Sequence, residues 1–172
     1  MARRKPEDII ALVEGHYEAT EPLRTRMEDD HAIYRLEPYD AGEGYQSYTS
    51  NEPKTFANKI MEWISGAEMT VRIPHNGLDA DLRDKNDQKE KFLIGILRSA
   101  DDRLSGLLMP SIRDQLAWYT SIRGWFAGRS LLVKRPDGTT YVDITPWDPL
   151  HTYWCIGEDG LDWACYKTIK TK

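Results

Sequence analysis

Apolar side chains recur every three or four residues along the first two thirds of the chain, which is the spacing of amphipathic helices. The first helical segment covers residues 6–36. Pro22 predicts a kink or a break near residues 19–21, because a proline ring clashes with the preceding helical turn. Residues 37–49 are polar and turn-rich, and they predict an irregular connection that carries three tyrosines, Tyr39, Tyr45 and Tyr48.

Three further helices are predicted before residue 125. One starts at Asn51, which can cap it, and ends at Gly66. Its apolar side chains lie on one face and are Phe56, Ile60, Trp63 and Ile64. The next helix covers residues 82–108 and has the longest apolar stripe of the chain, formed by Phe92, Leu93, Ile96, Leu97, Ala100, Leu104, Leu107 and Leu108.

The last of these helices follows Pro110 and ends at Gly124. Ser111 and Asp114 resemble a capping box at its start. Upstream of the long helix, residues 68–74 alternate between polar and apolar side chains and predict a short strand. Residues 74–77 have the composition of a turn.

After Gly124 the apolar side chains recur at every second residue, which is the spacing of β-strands, and the turn signals between these segments predict two β-hairpins. The first joins residues 126–134 to 139–145 through a turn at Pro136-Asp137-Gly138. The second joins residues 150–156 to 161–169. If its turn at 157–160 is symmetric, Trp154 pairs with Trp163, and Cys155 and Cys165 do not face each other. Pro146-Trp147-Asp148-Pro149 predicts a corner between the hairpins.

Helices followed by an antiparallel β-meander predict an α+β fold. Three consecutive segments are expected. Residues 1–50 form the leading helix and connection, residues 51–124 the helical part, and residues 125–172 the hairpins. A strand that runs to the end of the sequence leaves an unpaired edge, so we expect the sheet to continue beyond Lys172 or to be covered by a partner.

Net charge is −5, so no overall positive field attracts this chain to nucleic acid. Arg3-Arg4-Lys5 is the only compact basic run, and a solubilising tail explains it better than a nucleic-acid arm. The sequence has neither an apolar run of membrane-spanning length nor a signal peptide at its start, which predicts a cytoplasmic protein. The two cysteines are accordingly expected to be free thiols.

The sequence predicts no catalytic, cofactor-binding or metal-binding residues. It lacks a glycine-rich phosphate loop. Residues 79–90 fail as a calcium loop, because Arg83 and Asp84 occupy a ligand position and the glycine position. The histidines His16, His31, His75 and His151 have no metal-ligand spacing. A carboxylate pair formed by aspartates of the hairpins is possible, but turn and strand-edge roles explain them better: Asp137, Asp143 and Asp148.

Basic and aromatic residues alternate where the last helix meets the strands. They are Arg113, Arg123, Arg129, Lys134, Arg135, Trp118, Trp125 and Phe126. This composition is typical both of single-strand nucleic-acid binding and of subunit interfaces. Because the chain is acidic overall, the sequence favours an interface.

The order of several short sequences from about residue 45 onward resembles the portal (head-to-tail connector) proteins of tailed bacteriophages and their proviral relatives. These sequences are Tyr48-Thr49-Ser50-Asn51-Glu52-Pro53, then Ser111-Ile112-Arg113-Asp114-Gln115-Leu116-Ala117-Trp118, Arg123-Gly124-Trp125, the Asp137-Gly138 turn, Pro146-Trp147-Asp148-Pro149 and Gly160-Leu161-Asp162-Trp163-Ala164. The resemblance lies in the ordered set, since no single piece is a diagnostic motif.

This resemblance implies the N-terminal wing part of a virion structural protein that forms a homo-oligomeric ring, typically of twelve subunits, at the portal vertex of a capsid. Double-stranded DNA passes through such a ring during genome packaging and ejection without sequence recognition. Terminase, the capsid and neck or tail adaptor proteins would be its partners. The stem, the clip and the channel-lining elements of portals are not recognisable in this chain.

Two other functions remain open. A phage or bacterial adaptor domain could recognise a single partner through its Trp-rich hairpins, and it would be monomeric or dimeric. An enzyme of an unrecognised class would require at least two of the aspartates of the hairpins to converge in a pocket, with a carboxyl group of shifted pKa.

Overall fold

The computed structural model describes residues 5–74 and 80–168, and its architecture is α+β, as predicted. Within those residues the helices precede the strands. The helices are α1 (Pro6–Ala19), α2 (Glu21–Tyr34), α3 (Glu52–Gly66), α4 (Ala80–Gly106) and α5 (Ile112–Arg123). The strands are β1 (Ala127–Lys134), β2 (Thr140–Trp147), β3 (Thr152–Gly157) and β4 (Gly160–Tyr166), with a short 3₁₀ helix at Pro149–His151. They pair as two separate antiparallel hairpins, β1–β2 and β3–β4.

The chain divides into two compact units, and neither is continuous in sequence. Unit 1 comprises Met1–Ile60, Trp118–Ala127 and Trp147–Lys172, and unit 2 comprises Met61–Ala117 and Gly128–Pro146. Unit 1 therefore contains α1, α2 and the second hairpin, and unit 2 contains α4 and the first hairpin. The three segments predicted from the sequence follow secondary-structure content, whereas each compact unit combines helical and strand residues.

Helices α1 and α2 are separated at Thr20, where the sequence predicts a break. Pro22 lies in the first turn of α2, a position that tolerates a residue without a backbone N–H. The Thr20 hydroxyl donates a hydrogen bond of 2.7 Å to the carbonyl of His16 at the end of α1. Met27 of α2 is buried and is part of the interior of unit 1.

The interior of unit 2 forms where α4 and α5 meet. Ala100, Leu104 and Ile112 are buried together. The N-cap half of the predicted capping box is present, since the Asp114 N–H donates to the Ser111 hydroxyl. That hydroxyl in turn donates to the Asp114 carboxylate, which in a full capping box would accept from the Ser111 backbone N–H. Such a cap satisfies backbone donors that have no partner within the helix.

Two leucines occupy a backbone conformation that glycine normally takes. Leu36 follows α2 with φ of 59°, and Leu108 follows α4 with φ of 57°. The Leu108 N–H bonds the Ser105 carbonyl and the Met109 N–H bonds the Leu104 carbonyl, which is the Schellman arrangement of a helix end. Leu108 is also 96% exposed, so packing of its side chain does not offset the backbone strain.

Replacing Leu108 by glycine is therefore expected to raise the free energy of unfolding by about 0.5–1 kcal/mol, because glycine adopts positive φ without a Cβ clash. Leu107→Gly is the matched control, since Leu107 has no positive φ and is also exposed. In urea unfolding, Leu107→Gly should leave the free energy of unfolding unchanged or lower it. Equal effects of the two substitutions would contradict this explanation.

The strand predicted at residues 68–74 is wrong, because this segment has no regular secondary structure. The Ile73 N–H instead donates a 2.7 Å hydrogen bond to the carboxylate of Glu90 in α4, and Arg72 lies 3.5 Å from the same carboxylate. A side chain thus satisfies the backbone donor that a neighbouring strand would otherwise bond. Of the turn predicted at residues 74–77, only Pro74 lies within the described residues.

The first hairpin closes as predicted. Gly138 has φ of 87°, and the Thr139 N–H donates to the Asp137 carboxylate. The second hairpin has the predicted pairing only next to its turn, where Ile156 pairs with Leu161. A β-bulge then shifts the register by one residue, so Trp154 pairs with Ala164 and the predicted Trp154–Trp163 pair is wrong.

The corner predicted at residues 146–149 begins later than expected. Strand β2 includes Pro146 and Trp147, and the chain turns at Asp148. The Asp148 carboxylate accepts a hydrogen bond from the Leu150 N–H, and its carbonyl accepts one from the Thr152 hydroxyl. These bonds fix the turn that leads into β3.

Candidate subunit interface

Helix α3 presents large apolar side chains that no part of the described chain covers. Phe56 is 70% exposed and Trp63 is 63% exposed. They are seven residues apart and therefore project from the same face of the helix. The sequence predicts this face, but α3 has no buried residue at all. An apolar helix face without a partner is a candidate contact surface.

Helix α1 likewise has no buried residue. Its Ile9, Ile10 and Leu12 are 44%, 56% and 38% exposed. The helix packs on the second hairpin through His16, whose ring lies 4.7 Å from the ring of Trp154. Most of the apolar side chains of α1 are thus available for a further contact.

The tryptophans of the predicted basic and aromatic cluster, and those of the hairpins, do not form an exposed patch. Trp63 is the exposed one, and the other five are half-buried. Trp154 contacts Trp125 with ring centroids 4.5 Å apart, and Trp147 stacks on Tyr166 at 5.2 Å. The aromatic side chains of the second hairpin therefore stabilise unit 1 from inside and offer little surface to a partner.

Burial lowers the pKa of His16 and of His31 below their usual value near 6.5. Nearby Arg123 lowers the pKa of His31 further. The folded state therefore binds fewer protons than the unfolded state, and stability should decrease as the pH falls below about 6.5.

We expect His16→Gln to flatten this pH dependence, measured as the free energy of unfolding between pH 7.5 and pH 5. The exposed His151 gives the matched control, His151→Gln. An unchanged slope in the His16 variant would show that this half-buried ring does not set the acid sensitivity.

Arg123, one of the predicted interface residues, is instead 6% exposed inside unit 1. Its guanidinium donates a 3.0 Å hydrogen bond to the carbonyl of Met27 and lies 3.3 Å from the carboxylate of Asp148. Trp118 flanks it at 5.5 Å. Arg123 thus ties α2 and α5 to the corner before β3, and the prediction of a contact surface is wrong for this residue.

Other basic residues of the predicted cluster also have partners within their own unit. Arg129 lies 3.1 Å from the Asp143 carboxylate, and Arg113 donates to the carbonyl of Ala67. Arg135 lies 4.7 Å over the ring of Tyr141. Most of the arginines of this cluster therefore already have partners in the same chain. Lys134 is exposed at the end of β1.

The three aspartates considered for catalysis have separate structural roles. Asp143 lies between Arg103 and Arg129 in unit 2, and Asp148 pairs with Arg123 in unit 1. Asp137 is exposed in a turn, where hydrogen bonds from Thr139 lower the pKa of its carboxyl group. These contacts are those expected of structural ion pairs and turn caps.

No group of three or more metal-ligating side chains occurs in the described parts of the chain. Cys155 and Cys165 are free thiols, as predicted, and pair in β-sheet register with Trp163 and Tyr153. Glu90, the last residue of the segment rejected above as a calcium loop, accepts a hydrogen bond from the Ile73 N–H. His75 and Asp79 lie outside the described residues.

Among the helices in the described ranges, none combines the length and the apolar character required to cross a bilayer. No protein-family model matches the chain. The curated proteins and the solved structures give no significant match either.

Proposed function

We propose that this chain is a structural subunit of the portal ring of a tailed bacteriophage. It would contribute to the conduit through which double-stranded DNA is packaged and ejected. The same ring would dock terminase and the neck or tail proteins at the portal vertex. The proposal starts from the resemblance of an ordered set of short sequences to portal proteins, and the contacts of the described residues support it.

The exposed face of α3 carries the proposal. Phe56 and Trp63 remain more than 60% exposed although they form the regular apolar face of a helix. Burying a large aromatic side chain contributes about 1.5–3 kcal/mol, so a second copy that covers both side chains would gain substantial binding energy. The exposed apolar side chains of α1 are a second surface that subunit contacts could cover.

The charge distribution also suits a conduit. Every DNA phosphate that a protein neutralises raises the affinity of the protein for DNA. Tight binding would oppose the movement of DNA through the ring. This chain has a net charge of −5. Arg103, Arg123 and Arg129 lie against carboxylates of the same chain. These arginines are therefore less able to hold a passing phosphate backbone.

Electron microscopy of the purified protein tests the proposal. We expect closed rings with a central hole wide enough for a DNA duplex. Particles that remain compact monomers or dimers at high protein concentration would contradict the ring. They would favour the alternative, a self-contained adaptor domain that recognises one partner protein.

A further inference from the structure

A cleft in unit 1 has an aromatic lining and a positive rim. Its volume is about 470 Å³, within the range of roughly 300–1,000 Å³ that is typical of binding pockets. Tyr17, Tyr153 and Tyr166 line it. Tyr153 is 3% exposed, and burial raises the pKa of its hydroxyl. That hydroxyl therefore stays protonated at neutral pH and can act as a hydrogen-bond donor.

Two permanent cations and a histidine line the same cleft. They are Arg24, Lys167 and His151, and Glu28 is the acidic residue among the lining side chains. The cleft therefore has a net positive charge of at least +1 in a chain whose net charge is −5. It is suited to bind an anionic group next to an apolar or aromatic one.

Arg24 is held in place before any ligand arrives. Its guanidinium lies 3.2 Å from the ring centroid of Tyr17 and donates a 3.0 Å hydrogen bond to the Tyr17 carbonyl. Its Nε is buried and has no hydrogen-bond partner among the described residues. An arginine fixed in this way loses little side-chain entropy when it binds a carboxylate.

The connection between α2 and α3 has the complementary composition. Residues 37–45 contain Glu37, Asp40 and Glu43 and no basic residue. Within this segment Tyr39 is 60% exposed and Tyr45 is 79% exposed. Tyrosines are enriched in protein interfaces, where a rigid ring contributes area and a hydroxyl contributes a hydrogen bond.

Hydrogen bonds give this exposed segment a definite shape. The Gly42 N–H donates a 2.9 Å hydrogen bond to the Asp40 carboxylate, and the Tyr45 N–H donates one of 3.3 Å to the Gly42 carbonyl. Gly42 and Gly44 have φ of 79° and 84°, which only glycine adopts without strain. The turn thus exposes Tyr39, Tyr45 and the Glu43 carboxylate to solvent at a reduced entropic cost of binding, whereas the Glu37 carboxylate lies 3.2 Å from Arg35.

We propose that the acidic, tyrosine-bearing turn of one copy, residues 37–45, binds in the basic aromatic cleft of a second copy. The inference rests on the proposed ring and identifies two of its contact surfaces. The partner is a copy of the same chain because the complementary segment lies in the same unit, with opposite charge and exposed aromatic side chains. A nucleic-acid phosphate fits less well, since the cleft contains Glu28 and the chain is acidic.

Because the turn and the cleft are different surfaces, one copy can use both at once, with two different neighbours. Such a contact is heterologous, and repetition around an axis closes a ring when the rotation allows it. The contact joins opposite charges at a partly exposed rim, so its strength should fall as the salt concentration rises.

Charge-reversal substitutions on the turn and on the cleft, made singly and together, test the inference. Glu43→Lys reverses a charge of the turn, and Lys167→Glu reverses one of the cleft. Both side chains are exposed, and neither substitution alters a hydrogen bond described above. We expect each single variant to weaken self-association at least tenfold in analytical ultracentrifugation. The double variant should recover to within about threefold of the wild type. Glu158→Lys is the control, because it reverses an exposed charge in the turn of the second hairpin. It should leave the strength of self-association unchanged.

The outcomes separate this inference from the proposed function. Wild-type rings that both single variants leave intact would overturn the turn-to-cleft contact and leave the ring standing. A double variant with the summed loss of both singles would also overturn it, because opposite charges would then not meet. A dimer that the singles disrupt and the double restores would support the contact and overturn the ring. A wild-type protein that is monomeric at all concentrations would overturn both.

Discussion

Replacing Arg123 by methionine is expected to lower the free energy of unfolding by about 3 kcal/mol. Methionine keeps much of the side-chain volume but removes the charge and the donors. The carboxylate of Asp148 would then lie 20% exposed without its cation, and the carbonyl of Met27 would lose a 3.0 Å hydrogen bond. Removing one member of a buried ion pair is costly because the remaining charge keeps its desolvation penalty.

Urea unfolding followed by tryptophan fluorescence measures this effect, since Trp118 lies beside the guanidinium. Arg98→Met is the matched control, because Arg98 is an exposed arginine of α4. It should change stability by less than about 0.5 kcal/mol. A similarly small effect at Arg123 would mean that the buried guanidinium does not hold unit 1 together.

Asp143→Asn should have the second largest effect, a loss of about 2 kcal/mol. The Asp143 carboxylate lies 2.6 Å from Arg103 and 3.1 Å from Arg129, and its side chain is 13% exposed. The amide keeps the shape but has no charge, so two guanidinium groups lose their shared counter-ion. Arg103 connects α4 to β2, because it also donates to the carbonyl of Ile144.

The control for this substitution is Asp102→Asn, which removes an exposed carboxylate from α4 next to Arg103. Thermal unfolding should show a clear decrease in midpoint for the Asp143 variant and almost none for the control. Equal midpoints would indicate that screening by solvent makes the ion-pair network energetically unimportant.

Local sequence features predicted most of the helices. The break at Thr20 follows from Pro22, and the start of α5 follows from Ser111 and Asp114. These signals depend on backbone geometry within a few residues. Contacts between distant residues therefore did not change these helix boundaries.

The incorrect predictions concern contacts between residues far apart in the chain. Arg123 and Met27 are 96 residues apart, and no local pattern shows that the arginine is buried against that carbonyl. Glu90 satisfies the backbone of Ile73 from 17 residues away and replaces the expected strand pairing. The bulge in the second hairpin shifts the register between Cys155 and Ile156, and the alternation of side chains along a strand does not reveal an extra residue in its partner.

The candidate interface was predicted only in part. The apolar face of α3 was correctly identified from its spacing, but its exposure was not. The cleft around Arg24 was missed, because Tyr17, Tyr153 and Lys167 come from distant parts of the chain. The charge contrast between residues 37–45 and that cleft becomes visible only once those parts are brought together.

The mass of the particle in solution tests the central claim most directly, when the wild type is compared with a Phe56→Ser/Trp63→Ser variant. Both side chains are largely exposed in the single chain, so the variant should keep its fold by circular dichroism. We expect native mass spectrometry to give a large closed oligomer for the wild type and mainly smaller species for the variant. A wild type that is monomeric, or a variant that assembles equally well, would contradict the claim that the apolar helix face binds other copies of this chain.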